Sequence, residues 1–316
     1  MRVIVTGAAG YIGGQTVLQL LDAGHSVLGI DRDLHHSPLQ DSGAKWLVGD
    51  FADEVALINI KTFQPDAIIH CAGTSLVGPS IMNPEEYYDN NFVKTKRLCD
   101  FLVKEKIKTR LIFSSSAATY GNPIMTPCQE VDPTEPISPY GQSKLMIEWM
   151  LKSYQHAYGL DYVAFRYFNA CGADSQARHG QRPGATHIIA RVLEALRDNT
   201  GEFVPNGTDF ETEDGTCVRD YVHVEDLAKA HIMAMDSRIP ADVYNLGTNT
   251  GYSNLQIIHG AIGVTKRDLV YNTGPRRPGD PAQLTADATK FMTVSGWKPQ
   301  YGLEDIIRHA WAWYNQ

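Results

Sequence analysis

The chain has 316 residues, 43% hydrophobic and 20% charged, with a formal net charge of −8. That length supports one large core or two adjoining ones, while the acidic balance argues against a nucleic-acid partner. No apolar run is long enough to span a bilayer and a strand pattern begins almost at once, so neither a membrane span nor a signal peptide is expected, and a cytoplasmic location is.

The first two thirds alternate short β-branched runs with longer helical patterns. Strands are expected at 2–6, 25–30, 44–48, 66–70 and 110–114. Helices are expected near 13–23, 84–104 and 141–158, where apolar residues recur every three or four positions (Val17, Leu20, Leu21; Leu145, Trp149, Met150). This alternation predicts an α/β fold, a doubly wound parallel sheet with right-handed crossovers and helices on both faces. After about residue 168 the texture changes. GADSQARHGQRPGAT reads as a loop and THIIARVLEALRD as a helix; an acidic loop, a strand and a helix follow, and DVYNLGT reads as one more strand. The expected division is a domain over 1–168, with 217–248 returning to it, and a smaller C-terminal substrate domain over 169–316. The second would sit above the strands' carboxyl ends, where ligand clefts of such sheets lie.

Within VTGAAGYIGG, Gly7, Gly10 and Gly13 follow a strand and open a helix. Glycines there allow a tight turn, let backbone approach a pyrophosphate and let the helix pack close to the strand. Asp31 ends the second strand, where a carboxylate accepts hydrogen bonds from an adenosine ribose and repels a 2′-phosphate; NAD is therefore expected over NADP, although Arg32 could pair with such a phosphate. Asp50 and Phe51 could hold and pack an adenine, or be a strand-end acid and a core aromatic. Further on, SPYGQSK places Tyr140 and Lys144 one helical turn apart, on one face. An ammonium there would lower the tyrosine's pKa and make it a usable base. Cys71, Cys99, Cys128, Cys171 and Cys217 show no paired metal spacing and read as free thiols in a reducing compartment. His35-His36 has no carboxylate or cysteine at a ligand-like spacing, so no metal is expected.

With these features in one chain, the sequence resembles the extended short-chain dehydrogenase/reductases and, more narrowly, the UDP-galactose (UDP-glucose) 4-epimerases. The likeness runs through VTGAAGYIGG, EYYDNN, FSSSAATYG, SPYGQSKLMIE, RYFNACGA, EDGTCVRDYVHVEDLA and GPRRPGD. It implies a Rossmann-type NAD domain and transient hydride transfer through a 4-keto sugar. Ser116, Tyr140 and Lys144 would be catalytic. Tyr11, Ile12, Cys71, Ala72, Gly73, Ser75, Asn91, Ser114 and Tyr167 would join Gly7, Gly10, Gly13, Asp31, Asp50 and Phe51 around the cofactor. Asn169, His187, Ile188, Val204, Arg219, Arg277, Asp280 and Leu284 would meet the UDP-sugar, Arg219 and Arg277 clamping the diphosphate and Asp280 the uridine ribose. Arg219 could instead pair with Asp220 or Glu225 on a surface. The resemblance also implies a homodimer bundling the helices near 84–104 and 141–158, although amphipathic helices equally cover sheets.

Three positions depart from the family pattern. Ser75 stands where many relatives carry lysine, Cys171 replaces a small residue or proline, and Leu284 stands where strict glucose/galactose enzymes have tyrosine. The last would leave room for a 2-acetamido group, and so for UDP-GlcNAc and UDP-GalNAc. A 4,6-dehydratase would need an acid/base pair where Ala117-Ala118 stands, and a decarboxylase usually keeps a glutamate in that stretch. A non-catalytic NAD-binding sensor would be expected to lose the tyrosine or the lysine.

Overall fold

The computed structural model of the chain describes residues 1–34, 38–198, 202–276 and 280–316; the His35-His36 pair and Arg277 lie outside the described residues. In chain order come β1 (Arg2–Thr6), α1 (Tyr11–Asp22), β2 (Ser26–Asp31), β3 (Lys45–Val48), α2 (Glu54–Phe63) and β4 (Ala67–His70). Two short helices, α3 (Val77–Met82) and α4 (Pro84–Tyr87), lead into a π-helical turn (Tyr88–Val93) that continues as α5 (Lys94–Lys104). Next are β5 (Arg110–Ser116), a 3-10 turn (Ala117–Thr119), α6 (Pro139–Tyr158), β6 (Tyr162–Tyr167) and β7 (Asn169–Cys171). Then follow α7 (Ile188–Asp198), β8 (Glu202–Phe203), β9 (Val218–His223), α8 (Val224–Met233) and β10 (Asp242–Leu246). The chain ends with β11 (Gly251–Ser253), α9 (Asn254–Thr265), β12 (Val270–Tyr271), β13 (Gln283–Leu284), α10 (Thr289–Ser295) and α11 (Leu303–Tyr314).

Seven strands form one sheet in the order β10-β6-β5-β4-β1-β2-β3, every neighbouring pair parallel. Successive side chains of a strand face opposite ways, so each strand feeds two cores. On one face Val3, Val5, Ile69, Ile112 and Phe165 pack with Val17 and Leu20 of α1 and Leu227 of α8. On the other, Ile4, Ile68, Leu111 and Phe113 meet Ile60 of α2, Leu98 of α5 and Ile147 and Leu151 of α6. Burying each such side chain stabilises by roughly 1.5–3 kcal/mol. The strand order reverses beside β1, which puts the ligand crevice over the carboxyl ends of β1 and β4.

The helix expected near 84–104 runs unbroken through α4, the π turn and α5. Within 217–248, expected to return to the first domain, β9 lies in a second sheet between β11 and β13 and also pairs with β7, while α8 packs on the first sheet and β10 joins it. Three helices, α7, α9 and α11, pack a third core against Tyr221 and Cys171. No helix among the described residues is long and apolar enough to cross a membrane.

Candidate active site

Residues 6–13 place backbone where side chains would not fit. Gly7 has φ +66° and donates to the Ile30 carbonyl at 2.9 Å. A Cβ on Gly13 would fall onto the Gly7 carbonyl, and one on Gly7 would stand 2.7 Å from the Ala72 amide. The turn is thus squeezed between the ends of β2 and β4, with α1 entering at Gly10 without a side-chain cap. Uncapped first-turn amides of Tyr11, Ile12 and Gly13 suit an anion. Asp31 closes the other side: its Oδ2 accepts from the Ala9 amide at 2.9 Å. An acid tied to a Cβ-less turn and an open helix start is a cradle that fits a dinucleotide.

Several expected cofactor residues have internal partners. Asn91, carried by the π turn and 1% exposed, accepts from the Thr74 amide (2.7 Å) and donates to the Thr74 carbonyl (3.1 Å) and Ser143 Oγ (2.9 Å). Its amide braces the 71–75 turn, expected to line a pyrophosphate, against α6. Asp50 bonds Lys94 Nζ at 2.8 Å and the Ala52 amide at 3.0 Å. Burial would raise its pKa, but Lys94 and that amide carry it below the usual value. Phe51 packs edge-on against His70 in the core. Ser75 offers its carbonyl to Tyr87 Oη, and Tyr167 Oη lies 3.0 Å from His231 Nε2.

The reactive groups meet where β5 ends and α6 begins. Ser138 caps α6, accepting from the Gly141 amide, with Pro139 at the first helical position. Gly141 lets the helix lie against the Ala118 carbonyl, closer than a Cβ would allow. Ser116 Oγ accepts from the Ala118 amide at 3.1 Å and lies near enough to the Tyr140 hydroxyl to favour its ionised form. Lys144 is 5% exposed and donates to the Ser114 carbonyl at 2.8 Å; a Cβ on Gly73 would stand 3.7 Å from its Nζ. Ser114 Oγ in turn donates to Cys71 Sγ at 3.2 Å. Tyrosine and lysine therefore face the crevice that the glycine turn lines.

The electrostatics differ from the expected picture in one respect. Burial pushes the Tyr140 hydroxyl up, and the Ser116 hydrogen bond offsets part of that rise. Lys144 is itself brought down to about 8 by burial, with Cys71 and Glu148 acting the other way. The expected acidification of Tyr140 by the lysine is thus not the dominant influence within the protein, because both groups are withdrawn from water. Burial also raises the Cys71 thiol to about 11, so it stays neutral beside the ammonium.

At the other end, β9 and its neighbours gather most of the expected substrate residues. Arg219 bonds Asp280 at 3.4 Å and the Val218 carbonyl at 2.8 Å, not Asp220 or Glu225. Asp220 is engaged by Thr248, and Glu225 by the Ser175 amide and Tyr301. Leu284 stands opposite Arg219 in the β13–β9 register. Asn169 donates to the Asp220 carbonyl and, with His187, Ile188 and Tyr221, lines a cavity of about 50 Å³. Val204 lies apart from these, 41% exposed beside Gly274.

Sequence reasoning assigned no role to Glu148, Arg166 or Ser115, which form a buried cluster under the reactive groups. Nor did it find β6, although YVAFRY carries the β-branched and aromatic pattern of a buried strand. A third omission is the latch joining α1 to the loop after β7: Tyr11 Oη donates to the Gly172 carbonyl at 2.7 Å, and Gln15 Nε2 to Asp174 at 2.9 Å.

Fold and site together define a Rossmann-type, NAD-linked enzyme. Residues 3–247 match the NAD dependent epimerase/dehydratase family, and the chain belongs to it. It is 42% identical to a UDP-glucose 4-epimerase of Halalkalibacterium halodurans, covering 100% of this chain and 96% of that one. A Stenotrophomonas maltophila UDP-glucose-4-epimerase with bound NAD and formylated UDP-arabinopyranose superposes with a TM-score of 0.94, at 32% identity over 100% and 98% of the two chains. A UDP-Glc/GlcNAc 4-epimerase from Campylobacter jejuni gives 0.85 at 34% identity, covering 99% of each.

Proposed function

We propose that the protein is a UDP-hexose 4-epimerase interconverting UDP-glucose and UDP-galactose, with NAD held at the Gly7–Gly10–Gly13 turn and Asp31. The observation that carries this reading is that Lys144, one helical turn from Tyr140, reaches the 71–73 turn that packs on Gly7. When bound, NAD⁺ accepts hydride from C4 of the hexose and returns it to the opposite face, and its positive ring favours a nearby phenolate. Tyr140 takes the proton of the 4-hydroxyl and later gives it back. Ser116, fixed by the Ala118 amide, bonds the reacting oxygen. Lys144 supplies charge against the Ser114 carbonyl and is placed to bond the nicotinamide ribose. Arg219 and Arg277 hold the diphosphate and Asp280 the uridine ribose, so a firmly held nucleotide leaves the 4-keto sugar free to turn over. Ala117-Ala118 offers no carboxylate for elimination, which disfavours a dehydratase. A non-catalytic sensor is disfavoured by the retained tyrosine and lysine.

The test is direct. Denatured protein should release about one nicotinamide cofactor per chain, and native protein should convert UDP-galactose to UDP-glucose without added NAD. Cofactor release with no turnover of any UDP-hexose would favour the sensor reading instead.

Leu284 beside Arg219 also supports activity on UDP-GlcNAc and UDP-GalNAc. Leu284→Tyr should lower UDP-GalNAc turnover by about tenfold or more while sparing UDP-galactose, since a bulkier ring fills space that only the acetamido group needs; product analysis on both sugars checks it. The same reading makes the protein a cytoplasmic homodimer of galactose metabolism. It is supported by five free cysteines and by exposed Val93 and Trp149 on the helices expected to pair.

A further inference from the structure

We propose that Glu148, locked to Arg166 and Ser115, is the positioning residue that sets α6 against the end of β5 and keeps Lys144 charged during turnover; the proposal rests on the epimerase reading. Tyr140, Lys144 and Glu148 succeed one another at four-residue intervals, one stripe along α6. The facing segment of β5 is three successive serines, and each meets one member of the stripe. The Ser116 hydroxyl lies near that of Tyr140, the Ser114 carbonyl accepts from Lys144 Nζ at 2.8 Å, and Ser115 Oγ donates to Glu148 Oε1 at 2.5 Å.

The third contact is deeply buried. Ser115, Glu148 and Arg166 are 1%, 3% and 5% exposed. Arg166 grips both carboxylate oxygens, with Nη2–Oε2 at 2.6 Å and Nε–Oε1 at 3.1 Å. It pairs with Ser115 in the β5–β6 register and lies 4.7 Å over the Tyr120 ring. A carboxylate so held has one geometry, which suits it to fix the register of a helix against two strands. One residue beyond Arg166, Tyr167 borders the cofactor side beside Ser114 and Cys71.

Lys144 has few other charges for company. Its surroundings are Tyr140 on its own helix, neutral Cys71 and His70 at the end of β4, the Phe113 ring 4.9 Å away on β5, and the Glu148 carboxylate, itself paired with the Arg166 guanidinium of β6. Burial lowers both Lys144 and His70, whereas Glu148 acts to keep the lysine protonated. Loss of the Glu148 charge should therefore move Lys144 titration, and with it the alkaline limb of the pH–rate profile, to lower pH.

The experiment compares wild type, Glu148→Gln, and the double variant Glu148→Met with Arg166→Met, which removes the buried pair without stranding either charge. Cofactor content, Tm and the pH dependence of kcat and KM are read for each, together with an NMR titration of 13Cε-labelled lysine that needs no turnover. Glu148→Gln, with NAD retained, should lose about tenfold or more in kcat with little change in KM. Its alkaline limb and its Lys144 titration should shift by about half a pH unit or more to the acid side. The double variant should recover Tm but not kcat or the shifted limb. Wild-type kcat and an unmoved limb in folded, NAD-loaded Glu148→Gln would overturn the proposal, as would restoration of kcat along with Tm in the double variant. If wild type turns over no UDP-hexose, the epimerase reading falls, and the lysine titration still judges whether Glu148 governs Lys144.

Discussion

Tyr140→Phe should lower kcat for UDP-galactose epimerisation by roughly 10²–10⁴-fold, the usual contribution of a positioned acid/base group, while leaving fold and cofactor content unchanged. The variant removes one oxygen atom from the site. Its neighbour Ser116 keeps its own anchor in the Ala118 amide. The remaining ring still meets Tyr87 edge-on, with centroids 6.3 Å apart, and Lys144 still has the Ser114 carbonyl. The backbone carbonyl at 140 continues to accept from Ser143 Oγ, so the Asn91–Ser143 brace survives. Nothing that positions the cofactor turn depends on the phenol. KM for the UDP-sugar should move little, because the proposed nucleotide contacts, Arg219 and Asp280, are untouched. Steady-state kinetics beside nicotinamide quantified after denaturation, and a thermal melt, check the outcome. Full retained turnover would remove the tyrosine from the mechanism.

The contrast between what could be read and what could not follows from the range of the interactions involved. Gly7, Gly10, Gly13 and Asp31 are tied to one supersecondary unit whose turn, helix start and strand end are local in sequence, so their arrangement was legible. Tyr140 and Lys144 were legible as a helical pair for the same reason. Arg219 was placed in a role by its motif, but its partner was not: Asp280 lies 61 positions away, and the alternatives Asp220 and Glu225 were near in sequence only. The Glu148–Arg166–Ser115 cluster was invisible because its members fall in separate motifs joined only by the β5–β6 pairing. Likewise the π turn could not be told from an ordinary helix by periodicity. Its effect is to aim Asn91 at Thr74, a consequence of backbone geometry rather than composition. DVYNLGT was legible as a strand but not as a neighbour of β6, and β9, with an equally apolar pattern, pairs elsewhere. Propensity specifies that a strand forms; partners far along the chain decide where it goes.

Gly13→Ala should abolish cofactor retention and destabilise the protein, whereas the same substitution at Gly263 should stabilise it. Both glycines lie inside helices, α1 and α9, where alanine is intrinsically favoured by about 1 kcal/mol. Their surroundings decide the sign. Around Gly263 nothing lies within 4 Å of a built Cβ, so propensity alone acts. At Gly13 the new methyl would overlap the Gly7 carbonyl oxygen and stand 2.9 Å from its carbon, both backbone atoms with no rotamer to yield. Gly7 cannot retreat, since its amide is held by Ile30 at 2.9 Å and the Ala72 amide stands behind it. The remaining relief is for α1 to lift away from β1, against the core that Val17 and Leu20 make with Val3 and Val5. Overpacking of this kind costs about 1–3 kcal/mol or more, which exceeds the gain in propensity. Lifting the helix also draws the Tyr11 and Ile12 amides from the pyrophosphate position and strains the Ala9–Asp31 bond, so affinity falls further than stability. Thermal melts of the two variants and NAD released on denaturation distinguish the effects. A Gly13→Ala protein that melts like wild type with full cofactor would mean that α1 does not have to pack this closely on β1 to hold the dinucleotide.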